Sequence, residues 1–157
     1  MPSTAIDFLV FHLDDGRFAV PLAEVREIVQ AVTHTALPRA PAVVLGIIDV
    51  RGTIVPVLDV HARFGRPARP TLVSDHFVLA GNRPTALRVD RAVEILSLAA
   101  DEIHDATALA QGVRLVTGVA RVGDGRLVLI HDLEAFLTAD EVVALDAALA
   151  EHASVPS

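Results

Sequence analysis

The sequence predicts a mainly β fold of the barrel type. Short segments rich in Val, Ile, Leu and Phe recur at close spacing along the 157 residues. Several pairs of these segments flank a tight turn that contains glycine, and few stretches have helical periodicity. Many short strands joined by glycine turns are typical of all-β barrels. At this length we expect one domain, or two small subdomains that share a core.

Composition narrows the class of protein. The chain is 52% hydrophobic, carries a net charge of -7 and contains no Cys. The negative charge argues against nucleic-acid binding, which depends on neutralising phosphates. The lack of Cys removes disulfides, thiolate nucleophiles and Cys-based zinc sites. Charges or Pro interrupt every apolar run, and no secretory signal pattern is present. We therefore expect a cytoplasmic protein that does not insert into a membrane.

The N-terminal segment predicts a hairpin. Residues 6–13 alternate, with Phe8 and Val10 on one face and Leu9 and Phe11 on the other. A glycine turn at 14–16 returns the chain into a second strand. Residues 22–28 then have the apolar spacing of a helix that starts after a proline.

The run at 46–60 predicts a second hairpin, with two Val- and Ile-rich strands that meet at Arg51-Gly52. Gly52 can adopt a positive φ without steric cost, which favours a tight turn. Asp49 and Arg51 point to the same side of the strand. They pair with each other, or Arg51 fixes the turn through loop carbonyls, or the arginine belongs to a contact surface.

The second half of the chain repeats short strands and ends in a helix. We expect an exposed loop at 65–70, a loop or short helix at 99–111, and a C-terminal helix whose start is a capping box between Thr138 and Glu141. The other predicted elements are a short helix at 60–64, strands at 77–79, 85–89 and 93–98, and a hairpin of 115–122 with 127–130.

No pattern of catalytic residues is present. The seven His residues are scattered, without metal-binding spacing. The carboxylate pairs at 14–15 and 101–102 lie at turns, where such pairs are normally solvated. The glycines at 123 and 125 lack the rest of a phosphate-binding loop, and no Ser lies in a nucleophile elbow. The sequence thus predicts a protein that is not an enzyme and has no cofactor or metal.

Several motifs in order resemble one family. The run 46–52 followed by 54–59 resembles the signature of CheW-like domains, the adaptors of bacterial chemosensory arrays and the regulatory domain of their histidine kinase. Six further segments are similar to the family pattern: the opening hairpin, Val25-Arg26-Glu27-Ile28, Leu37-Pro38-x-x-Pro41, Val89-Asp90 through 96, Val116-x-Gly118, and 127–133.

This resemblance implies a CheW-like domain of two five-stranded SH3-like β-barrels with short helices. It would span residues 1–157, enter the second barrel at about residue 75 and end in a helix at 139–151. It implies a non-catalytic adaptor that couples the cytoplasmic tip of chemoreceptors to the regulatory domain of a histidine kinase. The alternatives are an accessory adaptor that binds receptors but not the kinase or serves a non-flagellar pathway and, more remotely, a small ligand-binding or enzymatic barrel.

In the family, the receptor tip lies in the groove between the barrels. The matching positions here are Val25, Glu27, Gly46, Arg51 and Ile95. An apolar groove flanked by a few charges suits a helix-in-groove contact. Three of these residues also have a purely structural interpretation: core packing for Val25, a solvated helix end for Glu27, and a backbone requirement for Gly46.

The chain departs from the family at three places. Asp49 replaces a common Asn, and we expect it to pair with Arg51 and to weaken the contact of Arg51 with a receptor. Arg91 stands where a Gly often follows the Val-Asp pair. Residues 104–112 lack the Pro and aromatic residue of many relatives, which questions one kinase contact.

Overall fold

In the part of the chain that the structure describes, the fold consists of two β-sheets and two α-helices. The computed structural model describes residues 5–81, 83–105, 116–122, 125–131 and 136–154. Within these ranges the strands are β1 Ala5–Leu13, β2 Gly16–Pro21, β3 Val25–Gln30, β4 Val44–Val50, β5 Thr53–Asp59, β6 His76–Ala80, β7 Thr85–Val89, β8 Arg91–Ala99, β9 Ile103–Asp105, β10 Val116–Val122 and β11 Arg126–His131. The helices are α1 Val60–Arg63 and α2 Ala139–Ser154, with 3-10 turns at Leu22–Glu24 and Ala100–Glu102. The predicted mainly β class is confirmed.

Along the chain, the strands of the second sheet lie between strands of the first. The first sheet has six strands in the order β8-β1-β2-β11-β10-β9, and the second has five in the order β3-β6-β7-β5-β4. The first therefore has one strand more than predicted, the three-residue β9. β6 starts at His76 and pairs with β3, so the chain returns to the first sheet at β8 and not near residue 75.

Each sheet curls so that its two edge strands share one apolar cluster. In the second sheet, Val29 of β3 packs in the same cluster as Ile48 of β4, although these strands lie at opposite edges. In the first sheet, Leu98 of β8 and Ile103 of β9 share a cluster, and only the short turn Ala100–Glu102 separates the two strands. Side-chain packing between edge strands gives both sheets the barrel form that the sequence predicts.

A third apolar cluster joins the two sheets. Side chains alternate across β1, as expected for a strand with both faces buried. Phe8 and Val10 face the cluster of the first sheet, and Leu9 and Phe11 face the shared cluster. From the other side, Val78 of β6 enters the shared cluster. The two barrels therefore have a common core.

The C-terminal helix closes one side of the second sheet. Thr138 and Glu141 form the predicted capping box, with the Thr138 N–H donating to Glu141 Oε1 at 2.9 Å and the Glu141 N–H to Thr138 Oγ1 at 3.1 Å. Leu145 packs against Ile47 of β4. No helix within the described ranges has the length and apolar character needed to cross a membrane.

The helix predicted at 22–28 is wrong beyond Glu24. From Val25 the chain is a strand whose side chains alternate between half-buried and exposed, and β6 pairs with it along its length. Tertiary pairing thus overrides the helical spacing. The predicted structures at 106–112, at 123–124 and at 132–133 lie outside the described residues.

Candidate partner-binding surface

The Arg51-Gly52 turn is the tight hairpin that the sequence predicts. Both residues have positive φ, 51° for Arg51 and 86° for Gly52, as in a type I′ turn. The Gly52 N–H donates to Asp49 Oδ1 at 2.7 Å. The Asp49 carboxylate therefore stabilises the turn by accepting a hydrogen bond from the Gly52 backbone. The prediction of an ion pair between Asp49 and Arg51 is wrong.

Arg51 pairs with Glu27 instead. The guanidinium makes a two-pronged contact, with Arg51 Nη1 donating to Glu27 Oε1 at 2.9 Å and Nη2 donating to Oε2. The hydrogen bond from Arg51 lowers the pKa of Glu27, and the same bond raises the pKa of Arg51. The Arg51 side chain is 74% exposed. The planar head is thus fixed in direction but open to solvent, which suits recognition of a partner.

The pair lies where the second barrel closes. Glu27 is on β3 and Arg51 follows β4, and these strands form opposite edges of the sheet. The two residues also line a small cleft of about 250 Å³, together with Val50 and Leu79. A charged pair beside a partly apolar cleft therefore marks the closing seam of the barrel.

A β-bulge places Val25 beside this pair. The register between β3 and β6 shifts between Val25 and Glu27, with Arg26 as the extra residue. Bulges redirect side chains and are common next to functional sites. Val25 is half-buried against the shared core, which agrees with its structural interpretation.

Ile95 is an exposed aliphatic residue of the first sheet. It lies opposite Leu9 in the β1–β8 ladder, so the two side chains share a face. Leu9 is buried in the shared core, whereas Ile95 is 60% exposed. The face that forms the inter-barrel core thus reaches solvent at Ile95.

Gly46 is explained by a close backbone approach. A Cβ at this position would lie 2.4 Å from the Thr35 carbonyl oxygen and 2.9 Å from His34 Nδ1. Thr35 forms an isolated bridge with Ile47, donating at 2.9 Å and accepting at 2.8 Å. This close approach supports the backbone interpretation of Gly46. At a rise of roughly 3.4 Å per residue, Gly46 lies about 17 Å along the strand from Arg51.

The structure therefore brings together some of the five candidate residues. Glu27 and Arg51 are in contact, and Val25 flanks the same bulge as Glu27. Ile95 belongs to the first sheet, where it shares a face with Leu9. Gly46 stands apart at the far end of β4.

A buried charge network was not predicted from the sequence. Arg88 has no exposed surface, and its guanidinium donates to Asp59 Oδ1, to Thr71 Oγ1 and to the Arg69 carbonyl. Burial lowers the pKa of Arg88, and the attraction of Asp59 opposes this shift. The sequence signal was weak because Arg88 lies in an otherwise apolar strand and its partners are 17 to 29 residues away.

Arg69 extends this network. It donates to both carboxylate oxygens of Asp75 at 2.8 and 2.9 Å and to Asp90 at 2.5 Å. The hydrogen bonds that Arg69 donates to the Asp75 carboxylate are the main cause that raises the pKa of Arg69. The loop at 65–70 was predicted to be exposed and is only partly so. Its residues Arg66 and Arg69 form ion pairs with carboxylates elsewhere in the protein.

One group within the described ranges has the spacing of metal ligands: Asp14, His61 and Asp90. The atoms of the group that face one another are already paired inside the protein, whereas His61 Nδ1 is buried without a hydrogen-bond partner among the described residues. His61 Nε2 lies 2.7 Å from Asp90 Oδ1, Arg69 binds the same oxygen, and Arg66 binds Asp14 at 3.2 Å. Two arginines beside the group oppose a cation there, so the group is best explained as part of the ion-pair network.

Comparison with known proteins gives one family. Residues 7–141 match the family model described as the CheW-like domain. A protein described as chemotaxis protein CheW from Rhizobium meliloti is 30% identical over 139 residues, which cover 86% of this chain and 89% of that protein. A protein described as probable chemotaxis protein CheW from Rhizobium etli is 29% identical over 141 residues, with 86% and 89% covered.

A solved structure has the same fold. The scaffolding protein TtCheW from Thermoanaerobacter tengcongensis superposes with a TM-score of 0.79 at 24% identity, covering 88% of this chain and 91% of that chain. The similarity includes most of both barrels.

Proposed function

The chain belongs to the CheW-like domain family, and from this premise we propose that it is a chemotaxis adaptor that couples chemoreceptors to a histidine kinase. The observation that carries the proposal is the match to the family over residues 7–141, together with curated relatives that are named chemotaxis proteins. The adaptor acts by binding and carries out no reaction.

The receptor tip binds along the groove between the barrels. Three observations support this location. Val25 and Ile95 border the shared apolar core from the two barrels, and Ile95 presents an uncovered aliphatic side chain. Glu27 fixes the exposed head of Arg51 at the closing seam of the second barrel. Aliphatic anchors flanked by an oriented charge suit an amphipathic helix.

The second partner is the regulatory domain of the kinase. Adaptor contacts of this kind are small and weak when measured singly, and they gain strength from multivalent assembly. Simultaneous binding of both partners is what distinguishes a coupling protein from an accessory one.

The test is a titration of the purified chain with the receptor tip and with the kinase regulatory domain, separately and together. The proposal predicts a ternary complex. Binding to the receptor tip alone would replace it with the accessory adaptor. Binding to neither partner would refute it and leave the ligand-binding barrel as the remaining interpretation.

A further inference from the structure

We propose that His76 is a pH-sensitive switch, which binds the start of β8 to the second sheet while its ring is neutral and releases it when the ring is protonated. The contact is a hydrogen bond between the two sheets. The Ala92 N–H of β8 donates to His76 Nδ1 of β6 at 2.9 Å. His76 is half-buried, so this inter-sheet bond is partly shielded from water.

The inter-sheet bond lies where the chain crosses from the second sheet to the first. β7 ends at Val89 and β8 begins at Arg91, with Asp90 between them. His76 lies opposite Val89 in the β6–β7 ladder, so it is next to the crossing. On the side of the first sheet, the Asp90 N–H donates to the His12 carbonyl at 3.0 Å. Bonds to both sheets therefore hold this segment, and His76 supplies a bond to the second sheet.

The Ala92 N–H depends on the histidine ring for its acceptor. β8 is an edge strand of the first sheet, and an N–H that faces outward from an edge strand has no acceptor in the ladder. The register of the β1–β8 ladder also shifts at this point, between Val10 and Phe11, which is the residue opposite Ala92. Ala92 is half-buried against the shared core, so the loss of its acceptor would leave a poorly solvated donor.

The inter-sheet bond exists in only one state of the ring. A backbone N–H can only donate, so His76 Nδ1 must accept, and it has a free lone pair only when it carries no proton. The neutral ring therefore holds its proton on Nε2. Protonation places an N–H on Nδ1 against the Ala92 N–H, so the acceptor is lost and two donors face each other. Histidine side chains make this change between about pH 5 and pH 8.

Other charged and titratable groups lie around the crossing. They are Arg69 and Asp75 of the loop before β6, Asp90 and Arg91 of the crossing, His12 of β1 and His61 of α1. Gln30, opposite His76 on β3, is neutral. Burial raises the pKa of Asp90, but hydrogen bonds from Arg69 and other donors outweigh it and hold the pKa below its usual value. Because other histidines are near, the ring of His76 itself must be followed.

The experiment is an NMR titration of the full chain from about pH 7.5 to about pH 5.5. It follows the ring nitrogens of His76 and the protection factor of the Ala92 amide, which corrects hydrogen exchange for its intrinsic pH dependence. We expect the Nε2–H tautomer at the upper pH, and a protection factor that falls about three- to tenfold as the ring is protonated, because one hydrogen bond is lost. A ring proton on Nδ1 at the upper pH, or a protection factor that does not follow the titration of the ring, would overturn the proposal.

Three variants make the test specific. His76→Asn keeps an acceptor oxygen near the position of Nδ1 but does not titrate, so the protection factor of Ala92 should stay high at both pH values. His76→Leu has no acceptor, so the protection factor should be low at both. His152→Asn changes an exposed histidine of α2 and should leave the response of the parent chain intact. A His76→Asn variant that responds to pH like the parent chain would contradict the proposal, even if His76→Leu does not fold.

A consequence for binding rests on the proposed function. Ile95 lies on β8, three residues beyond Ala92, and a loosened strand must be ordered again when the receptor tip binds, which lowers affinity. Between about pH 7.5 and about pH 5.5, receptor affinity should fall about threefold in the parent chain and stay constant in His76→Asn. An equal fall in both proteins would overturn the role of His76 in binding. A chain that binds no receptor at either pH would contradict the proposed function instead, and the Ala92 amide would still decide whether His76 is the switch.

Discussion

The second barrel holds charges in two contrasting regions. At the closing seam, Arg51 is largely exposed and has one charged partner, Glu27. In the other region, Arg88 is fully buried and donates hydrogen bonds to Asp59, to Thr71 and to the Arg69 carbonyl. Exposed ion pairs contribute little to stability, whereas breaking a buried one leaves an uncompensated charge. The comparison teaches that the buried network stabilises the fold, and the seam pair is available for a partner.

The largest expected effect is at Arg88. Replacing it in Arg88→Met leaves Asp59 buried without its cation and should lower the free energy of unfolding by about 3–5 kcal/mol. Urea denaturation measures this change. The double variant Arg88→Met/Asp59→Asn should regain part of the loss, because Asn keeps an oxygen for the Ala62 N–H that Asp59 caps. A single variant as stable as the parent chain would remove the contrast between the two regions.

A second effect concerns the backbone of β4. Gly46→Ala would place a methyl group 2.4 Å from the Thr35 carbonyl oxygen and should cost roughly 2–3 kcal/mol of stability. Gly65→Ala is the control, since that glycine has a positive φ but open space around it, and should cost roughly 1 kcal/mol. If thermal unfolding shows Gly46→Ala to be the milder change, the close approach is not what requires glycine.

A third effect is the acid sensitivity of the buried network. Burial by itself raises the pKa of Asp90, but hydrogen bonds from Arg69, from the Asp14 N–H and from His61 outweigh it and hold the pKa below its usual value. A carboxyl whose pKa is lowered by folding stabilises the protein above its unfolded pKa, and that stability is lost as pH falls through the folded pKa. The parent chain should therefore lose stability below about pH 4.

Asp90→Asn isolates this contribution. The variant should be less stable than the parent at neutral pH and should lose less stability on acidification, as followed by urea midpoints from about pH 6 to about pH 3. Parallel pH profiles for the two proteins would show that Asp90 does not carry the acid response.

The sequence predicted local features better than distant ones. The alternation of β1, the Arg51-Gly52 turn and the capping box at Thr138 each depend on residues close in sequence, and each is confirmed. The strand at Val25 was missed because its apolar spacing also fits a helix, and only pairing with β6 decides between them.

The seam pair and the buried network could not be predicted for a related reason. Glu27 and Arg51 are 24 residues apart and lie on strands at opposite edges of one sheet. They meet only because the sheet curls. The alternation of a strand identifies which side of the sheet a residue faces, but it does not identify the partner that closure brings to it.

The measurement that tests the central claim most directly compares two exposed arginines. Arg39 resembles Arg51: it has a positive φ of 65° and an exposed ion pair, with Glu151 at 3.0 Å. Arg51→Gln and Arg39→Gln are each titrated with the purified receptor tip, with urea midpoints measured alongside. We predict that Arg51→Gln weakens receptor binding by about tenfold or more, that Arg39→Gln does not, and that neither shifts the midpoint. Equal receptor affinity of the two variants would contradict the account.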